Sequence, residues 1–162
     1  MLFKDIIGQA AVKQHLAEMV QQNRLSHALL FLGKEGSGAL PLALAFAQFV
    51  ICQPNASEPV ADLFGGFTPM EAGPVYISPD DIHNQPAFAR AAQLMHPDLH
   101  FSYPVIPKKA GDKPISTDYI SEWREFIQQY PYGNVYDWLQ FIGAENKQGN
   151  ITANECNDII HK

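Results

Sequence analysis

Ala28-Leu29-Leu30-Phe31-Leu32-Gly33-Lys34-Glu35-Gly36-Ser37-Gly38-Ala39-Leu40 is the stretch whose reading decides the fold. Five consecutive apolar residues closed by Gly33 read as a short strand buried on both faces, the kind found in parallel sheets covered by helices. Beyond the glycines, Leu42, Phe46, Phe49 and Val50 keep one helical face up to Cys52. Strand, glycine loop and helix in that order predict an α/β fold with a parallel sheet. Immediately upstream, Val12, Leu16, Met19 and Val20 recur at helical spacing and predict an amphipathic helix over Ala10 to Gln22.

Further downstream the pattern breaks. From Gln53 to Asp81, five prolines and three glycines interrupt any period, which predicts an inserted segment over about 53–81. Periodicity returns at Pro86, where Phe88, Ala91, Ala92 and Met95 predict a helix of about three turns. Leu99, Phe101, Tyr103 and Val105 alternate with polar residues and Pro104, the period of two that marks a strand. A lysine-bearing loop follows from Pro107 to Pro114. Thr117 then opens a helix with Ile120, Trp123, Ile127 and Tyr130 directed inward, ended by Pro131. Thr152 and Glu155 have capping-box spacing, with Ile151 and Cys156 placed as its hydrophobic staple. That last helix begins so near Lys162 that the reading expects the domain to be cut at its C-terminal side.

Composition narrows the function classes. A chain of 162 residues with 46% hydrophobic and 17% charged content has enough apolar material for one globular domain. Lysine and arginine number 11 against 17 acidic residues, a net charge of −6, so the chain lacks the positive field of an independent nucleic-acid binder. No apolar run approaches the ~18 residues of a membrane span, and the amino end has no signal-peptide pattern, so a cytoplasmic location is expected. Two cysteines, Cys52 and Cys156, are too few for a disulfide scaffold and read as buried free thiols.

The glycine loop carries the chemistry. Gly33 to Leu40 stands where a phosphate-binding loop of the pattern G-x-x-x-x-G-K-[ST] would stand, with Gly33 and Gly38 as its framing glycines. Such loops work because glycines let backbone N–H groups approach a phosphate at a helix N-terminus, a capacity that Gly33, Gly36, Ser37 and Gly38 retain. The lysine that reaches the terminal phosphates and the hydroxyl that holds Mg²⁺ are replaced by Ala39 and Leu40. Lys34 lies on the opposite arm of the loop and is no substitute. The plain alternative is a glycine-rich turn joining a strand to a helix.

Phe3-Lys4-Asp5-Ile6-Ile7-Gly8-Gln9, the helix after it, and Arg24-Leu25-Ser26-His27-Ala28-Leu29-Leu30-Phe31 running into Gly33 resemble the start of AAA+ clamp-loader subunits. The stripped phosphate loop resembles the delta-prime branch of the bacterial DNA polymerase III clamp loader, as does His96-Pro97-Asp98-Leu99-His100-Phe101. The resemblance covers residues 1–53 and 95–106 well and 116–162 less well. It implies a parallel-sheet P-loop NTPase-like (AAA+) domain, present over 1–162 only in part. Within it, Ile7 and Gly8 take the place beside the adenine pocket, and Gly33, Gly36, Ser37, Gly38, Ala39 and Leu40 form a degenerate phosphate loop. The implied function is noncatalytic. It is that of a fixed subunit working with the motor ATPase and delta subunits, with no cofactor of its own and with DNA met only within the complex. The acidic strand and the Ser-Arg-Cys motif of the family would fall beyond Lys162. The family's four-cysteine zinc module has no counterpart after Cys52, so no metal is expected. Two rival readings are an active P-loop ATPase using an irregular cation and a binding module unrelated to replication.

Other constellations read more simply. His96, Asp98 and His100 would share one face of a strand as metal ligands might, but no fourth ligand is near in sequence. Asp80-Asp81-Ile82-His83 reads as an exposed turn. Nothing around Cys52 activates it as a nucleophile. Trp123 and Tyr130 have the spacing of core residues rather than of a base-stacking platform. Lys108, Lys109 and Lys113 could meet DNA inside a complex, but in isolation they are three solvated cations.

Overall fold

Apolar side chains spaced for helices dominate the chain, and helices are what form. The computed structural model describes residues 1–54, 76–109 and 111–161. Among them the α-helices are α1 (Ala10–Gln21), α2 (Ala39–Ile51), α3 (Phe88–Ala92), α4 (Ile120–Gln129), α5 (Val135–Phe141) and α6 (Ala153–Ile160). Short 3-10 turns occupy Phe3–Asp5, Ile82–Asn84 and Ser116–Tyr119. The chain divides into two units, one of residues 1–30 and 42–92, the other of residues 31–41 and 93–162.

The first unit gathers around α2, whose buried residues Leu42, Leu44, Ala45, Phe46 and Phe49 cover most of its circumference. A helix apolar nearly all round must be covered on several sides. Phe3 packs on Phe49 with ring centroids 5.5 Å apart, and Tyr76 meets the same ring edge-on at 6.2 Å. One polar side chain sits in this core. Buried Gln48 donates to the Ala91 carbonyl of α3 at 3.2 Å and accepts from the Met1 ammonium at 3.0 Å, so both ends of its amide are used. Burial pushes that amine below its ordinary value, partly offset by Asp5.

The second unit is built on aromatic rings. Trp138 of α5, almost fully buried, meets Tyr103 and Trp123 edge-on at 5.1 Å each and Phe126 at 5.4 Å. Tyr103 stacks on Trp123 at 4.2 Å. The Trp138 indole donates to the Pro104 carbonyl at 2.7 Å. Gly133 lies against the Phe126 ring so closely that a Cβ would collide with it, which fixes glycine at the turn between α4 and α5.

The expected parallel sheet does not form among the described residues. Ala28 to Leu32 has no regular secondary structure and carries no ladder, with Leu30 and Leu32 left 85% and 89% exposed. A strand needs a neighbour for its N–H and C=O groups, and no second strand lies beside this one among the described residues. Leu99 to Val105 is likewise irregular, and among the described residues its sheet-like contact is the antiparallel bridge between Val105 and Asn150. The described residues are mostly helical, so the parallel sheet of the expected α/β class is left unconfirmed by them. The resemblance to a P-loop (AAA+) fold is left to rest on the sequence.

Individual elements also depart from expectation. The helix after Pro86 stops at Ala92, because Leu94 turns left-handed with φ of +55° and its carbonyl accepts from Arg124 of α4 at 3.1 Å. Met95 is consequently exposed. In α4 the inward face is Trp123, Phe126 and Ile127, and Tyr130 at the end is half exposed rather than core. Thr152 caps α6 as expected, accepting from the Glu155 N–H at 3.2 Å. The Glu155 carboxylate does not complete the box but turns inward to accept from the Ser116 N–H at 2.5 Å. Ile151 and Cys156 are both exposed, so no staple forms and only Cys52 is a buried thiol. The helix α5 was not anticipated, although Asn134 and Asp137 give it a complete capping box. Most of the expected insertion, residues 55–75, lies outside the described residues.

Trp138→Ala removes the ring on which the second unit's aromatic contacts converge and should cost about 3–5 kcal/mol, as large-to-small core substitutions of aromatics do. Urea unfolding followed by far-ultraviolet circular dichroism measures it; a loss below ~1 kcal/mol would show that the packing tolerates the void.

Candidate functional site

The glycine loop follows the irregular segment 28–32 and runs directly into α2. Gly36 and Gly38 adopt φ of +72° and +90°, left-handed values that glycine takes without strain and that let the chain reverse within a few residues. The Ser37 N–H donates to the Lys34 carbonyl at 3.0 Å, and the Ser37 hydroxyl folds back against Gly33. That N–H is therefore spent inside the turn rather than turned toward an anion. Ala39 and Leu40 begin α2 with side chains that offer neither a cation nor a metal ligand.

All of this loop belongs to the second unit, where it forms one wall of a cavity of about 370 Å³. Gly33 to Gly36 and Gly38 to Pro41 line one side; Tyr103, Trp123, Phe126 and Trp138 line the other. The loop is held by a contact distant in sequence: Asn134, which caps α5 through its carbonyl, donates its amide to the Glu35 carboxylate at 3.1 Å. Both residues also line the cavity. Its walls are mostly apolar; among the surrounding rings, the indole N–H of Trp123 is fully buried and has no hydrogen-bond partner. A buried donor left unpaired costs about 1–3 kcal/mol, so such atoms call for an explanation.

Behind the cavity wall a polar clasp holds Tyr103. Its N–H donates to Ser116 Oγ at 3.0 Å, its hydroxyl donates to the Ser116 carbonyl at 2.7 Å, and Ser116 Oγ donates to its carbonyl at 3.2 Å. Burial, and then the nearby Glu122 and Glu155 carboxylates, push the Tyr103 phenol well above its usual range. Glu155 is itself buried, with Oε2 on the Ser116 N–H and Oε1 unpartnered.

The other expected sites are placed as follows. Ile7 is exposed and Gly8 turns left-handed at φ of +68°, but both belong to the first unit and neither lines the cavity beside the loop. His96, Pro97 and Asp98 form a turn, with the Asp98 N–H on His96 Nδ1 at 3.3 Å, so the strand that would align His96, Asp98 and His100 is not there. Lys108 is engaged locally, over the Tyr119 ring at 4.4 Å and on the Asp118 carbonyl at 3.1 Å. Trp123 is core, as its spacing predicted. The aromatic cavity itself was missed, because its walls come from four separate stretches and no periodicity within any one of them joins them. The Asn134/Asp137 capping pair was the one local signal available for α5.

Residues 8–62 match the family model described as DNA polymerase III, delta subunit. The amino-terminal third resembles a DNA polymerase III subunit. Specifically, 51 residues are 41% identical to the DNA polymerase III subunit delta' of Bacillus subtilis (strain 168), a stretch that makes up 32% of this chain. The chain covers only 16% of that relative's length. No solved structure matches it. The matched region contains α1, the apolar segment 28–32, the glycine loop and α2, where the resemblance to delta-prime subunits lies in the sequence. Among the described residues no helix is long and apolar enough to cross a membrane.

The raised Tyr103 phenol has a defined consequence for pH dependence. A phenol that holds its proton more tightly when folded contributes stability fully below the unfolded value of about 10, and that contribution is lost as the pH rises toward the folded value. The unfolding free energy should therefore fall between pH 9 and 11, and Tyr103→Phe should flatten the fall. Urea unfolding at the two pH values checks this; equal slopes in the two proteins would remove Tyr103 as the cause.

Proposed function

We propose that this chain is a noncatalytic part of a bacterial replicative clamp loader of the delta-prime kind, over at least its amino-terminal region. The observation that carries the reading is the glycine loop. It keeps Gly33, Gly36 and Gly38 but presents Ala39 and Leu40 where a lysine and a hydroxyl would serve Mg-nucleotide, and it packs against aromatic rings. Phosphoryl transfer depends almost wholly on placed positive charge and metal, and neither side chain supplies it. The similarity of residues 8–62 to the DNA polymerase III delta family supports the same reading. On it, Gly33, Gly36, Ser37, Gly38, Ala39 and Leu40 are a degenerate phosphate loop kept for shape, and Ile7 and Gly8 mark the former adenine side.

The protein then acts by contact, in the cytoplasm, as one member of a hetero-oligomer with motor ATPase and delta subunits. DNA is met through the assembly rather than by this chain, whose net charge of −6 disfavours independent affinity. Residues 1–162 are on this reading part of an AAA+ domain, with the segment over about 53–81 as an insertion.

Two measurements test the proposal. Millimolar Mg-ATP should leave the thermal midpoint of the protein unchanged and yield no phosphate, whereas a variant carrying Ala39→Lys and Leu40→Thr should gain a nucleotide-dependent shift. Co-expressed with the delta and motor subunits of the same organism, the chain should copurify with them. Micromolar ATP binding with phosphate release would instead mark an active ATPase, and failure to copurify would mark a binding module outside replication.

A further inference from the structure

We infer that the aromatic cavity beside the glycine loop is a binding site for a trimethylammonium group, held among the rings with the Glu35 carboxylate at its opening. Three observations meet there. The first is the lining. Among the described residues five aromatic ones, Tyr103, Trp123, Phe126, Tyr132 and Trp138, line a space of about 370 Å³, which is within the range of small-molecule pockets. A ring carries negative charge at its face, so a cation that brings no hydrogen-bond donors of its own is drawn to such walls.

The second is the angle between the rings. Trp138 stands edge-on to Tyr103 and to Trp123, at 79° and 89°. A flat ligand gains most between parallel faces, whereas a round trimethylammonium group uses walls set at right angles to one another.

The third is the charge at the opening. Lys34 and Glu35 are the charged residues of the lining, and both are exposed. The Glu35 carboxylate accepts from the neutral Asn134 amide at 3.1 Å and makes no ion pair among the described residues. Asn134 also lines the cavity, so this contact holds the carboxylate beside it. Lys34 has no such tether. Its ammonium, without a partner among the described residues, stands on a four-carbon stem that extends into water. The fixed charge at the opening is therefore negative, in a chain whose net charge is −6, and it complements a cation. The site makes no use of phosphate recognition, and it stands whether or not the chain works in a clamp loader.

The experiment compares choline with dimethylbutanol, its uncharged isostere that has carbon in place of the nitrogen. Each is titrated into the isotope-labelled 162-residue chain, and binding is read from the amide resonances of Gly33, Gly36 and Gly38. Choline is expected to bind saturably, about 2- to 30-fold more tightly than dimethylbutanol, the range of a cation–π contact. Glu35→Gln keeps an acceptor for Asn134 and removes the charge, so it should weaken choline about 2- to 5-fold and leave dimethylbutanol unchanged. Lys34→Met should instead tighten choline. Trimethylammonium groups occur on free molecules and on methylated lysine side chains. Comparing choline with an acetylated trimethyllysine amide shows which source the site prefers, and either preference upholds it. Absence of saturable binding, equal affinities for the two isosteres, or effects of the opposite sign for Glu35→Gln and Lys34→Met would overturn the assignment.

Discussion

A backbone segment that joins neither helix nor sheet must satisfy its polar groups some other way, and the second unit is organised around that constraint. From Leu99 to Val105 the chain has strand-like sequence but only one bridge, at Val105 and Asn150. Side chains supply the rest: Ser116 takes the Tyr103 N–H and returns its hydroxyl to the Tyr103 carbonyl, and the Trp138 indole takes the Pro104 carbonyl. Each of these donors and acceptors also fixes a ring or a helix. Ser116 is fastened to α6 through Glu155, and Trp138 carries α5 into the aromatic cluster. Removing the backbone's need for partners would leave those helices without their tethers.

The same constraint accounts for the shape of the cavity. Tyr103 is held at its backbone and at its hydroxyl, so its ring cannot swing into the space beside Trp123. On the opposite side the glycine loop is pinned by the Glu35 and Asn134 pair, an exposed contact whose energetic worth is small but whose geometric effect is to set where the loop lies. Between two walls fixed by separate devices, a void persists instead of collapsing. Core cavities are uncommon because neighbours relax into them, and here hydrogen bonding restrains the neighbours.

Helical periodicity made much of this legible. Val12 and Leu16 marked α1, the Phe46 and Phe49 face marked α2, and the Thr152 cap marked α6; each signal is local, and each element formed where its signal lay. The resemblance at the amino end was legible too, because the glycine loop and the residues before it are contiguous. The sheet was less legible for a physical reason: an apolar run states that a segment wants burial, and only a partner segment decides whether it pairs. Glu155 shows the same limit on a smaller scale. Its spacing from Thr152 fits a capping box, but a buried backbone N–H at Ser116 competed for the carboxylate, and no local pattern foretells that contact across 39 residues. The cavity was invisible for a like cause, since its parts share no stretch of sequence.

The placement of the tryptophans has one more consequence. The chain contains two, and both stand in the second unit within 5.1 Å of each other. Their emission therefore reports on that unit alone, and the first unit, with Phe3, Phe49 and Tyr76 as its aromatic contacts, is nearly silent at tryptophan wavelengths. A fluorescence-detected melt of this protein is a melt of one half of it. Loss of order around α2 would pass unseen in such a record, and a single smooth transition there would say nothing about whether the two units unfold together.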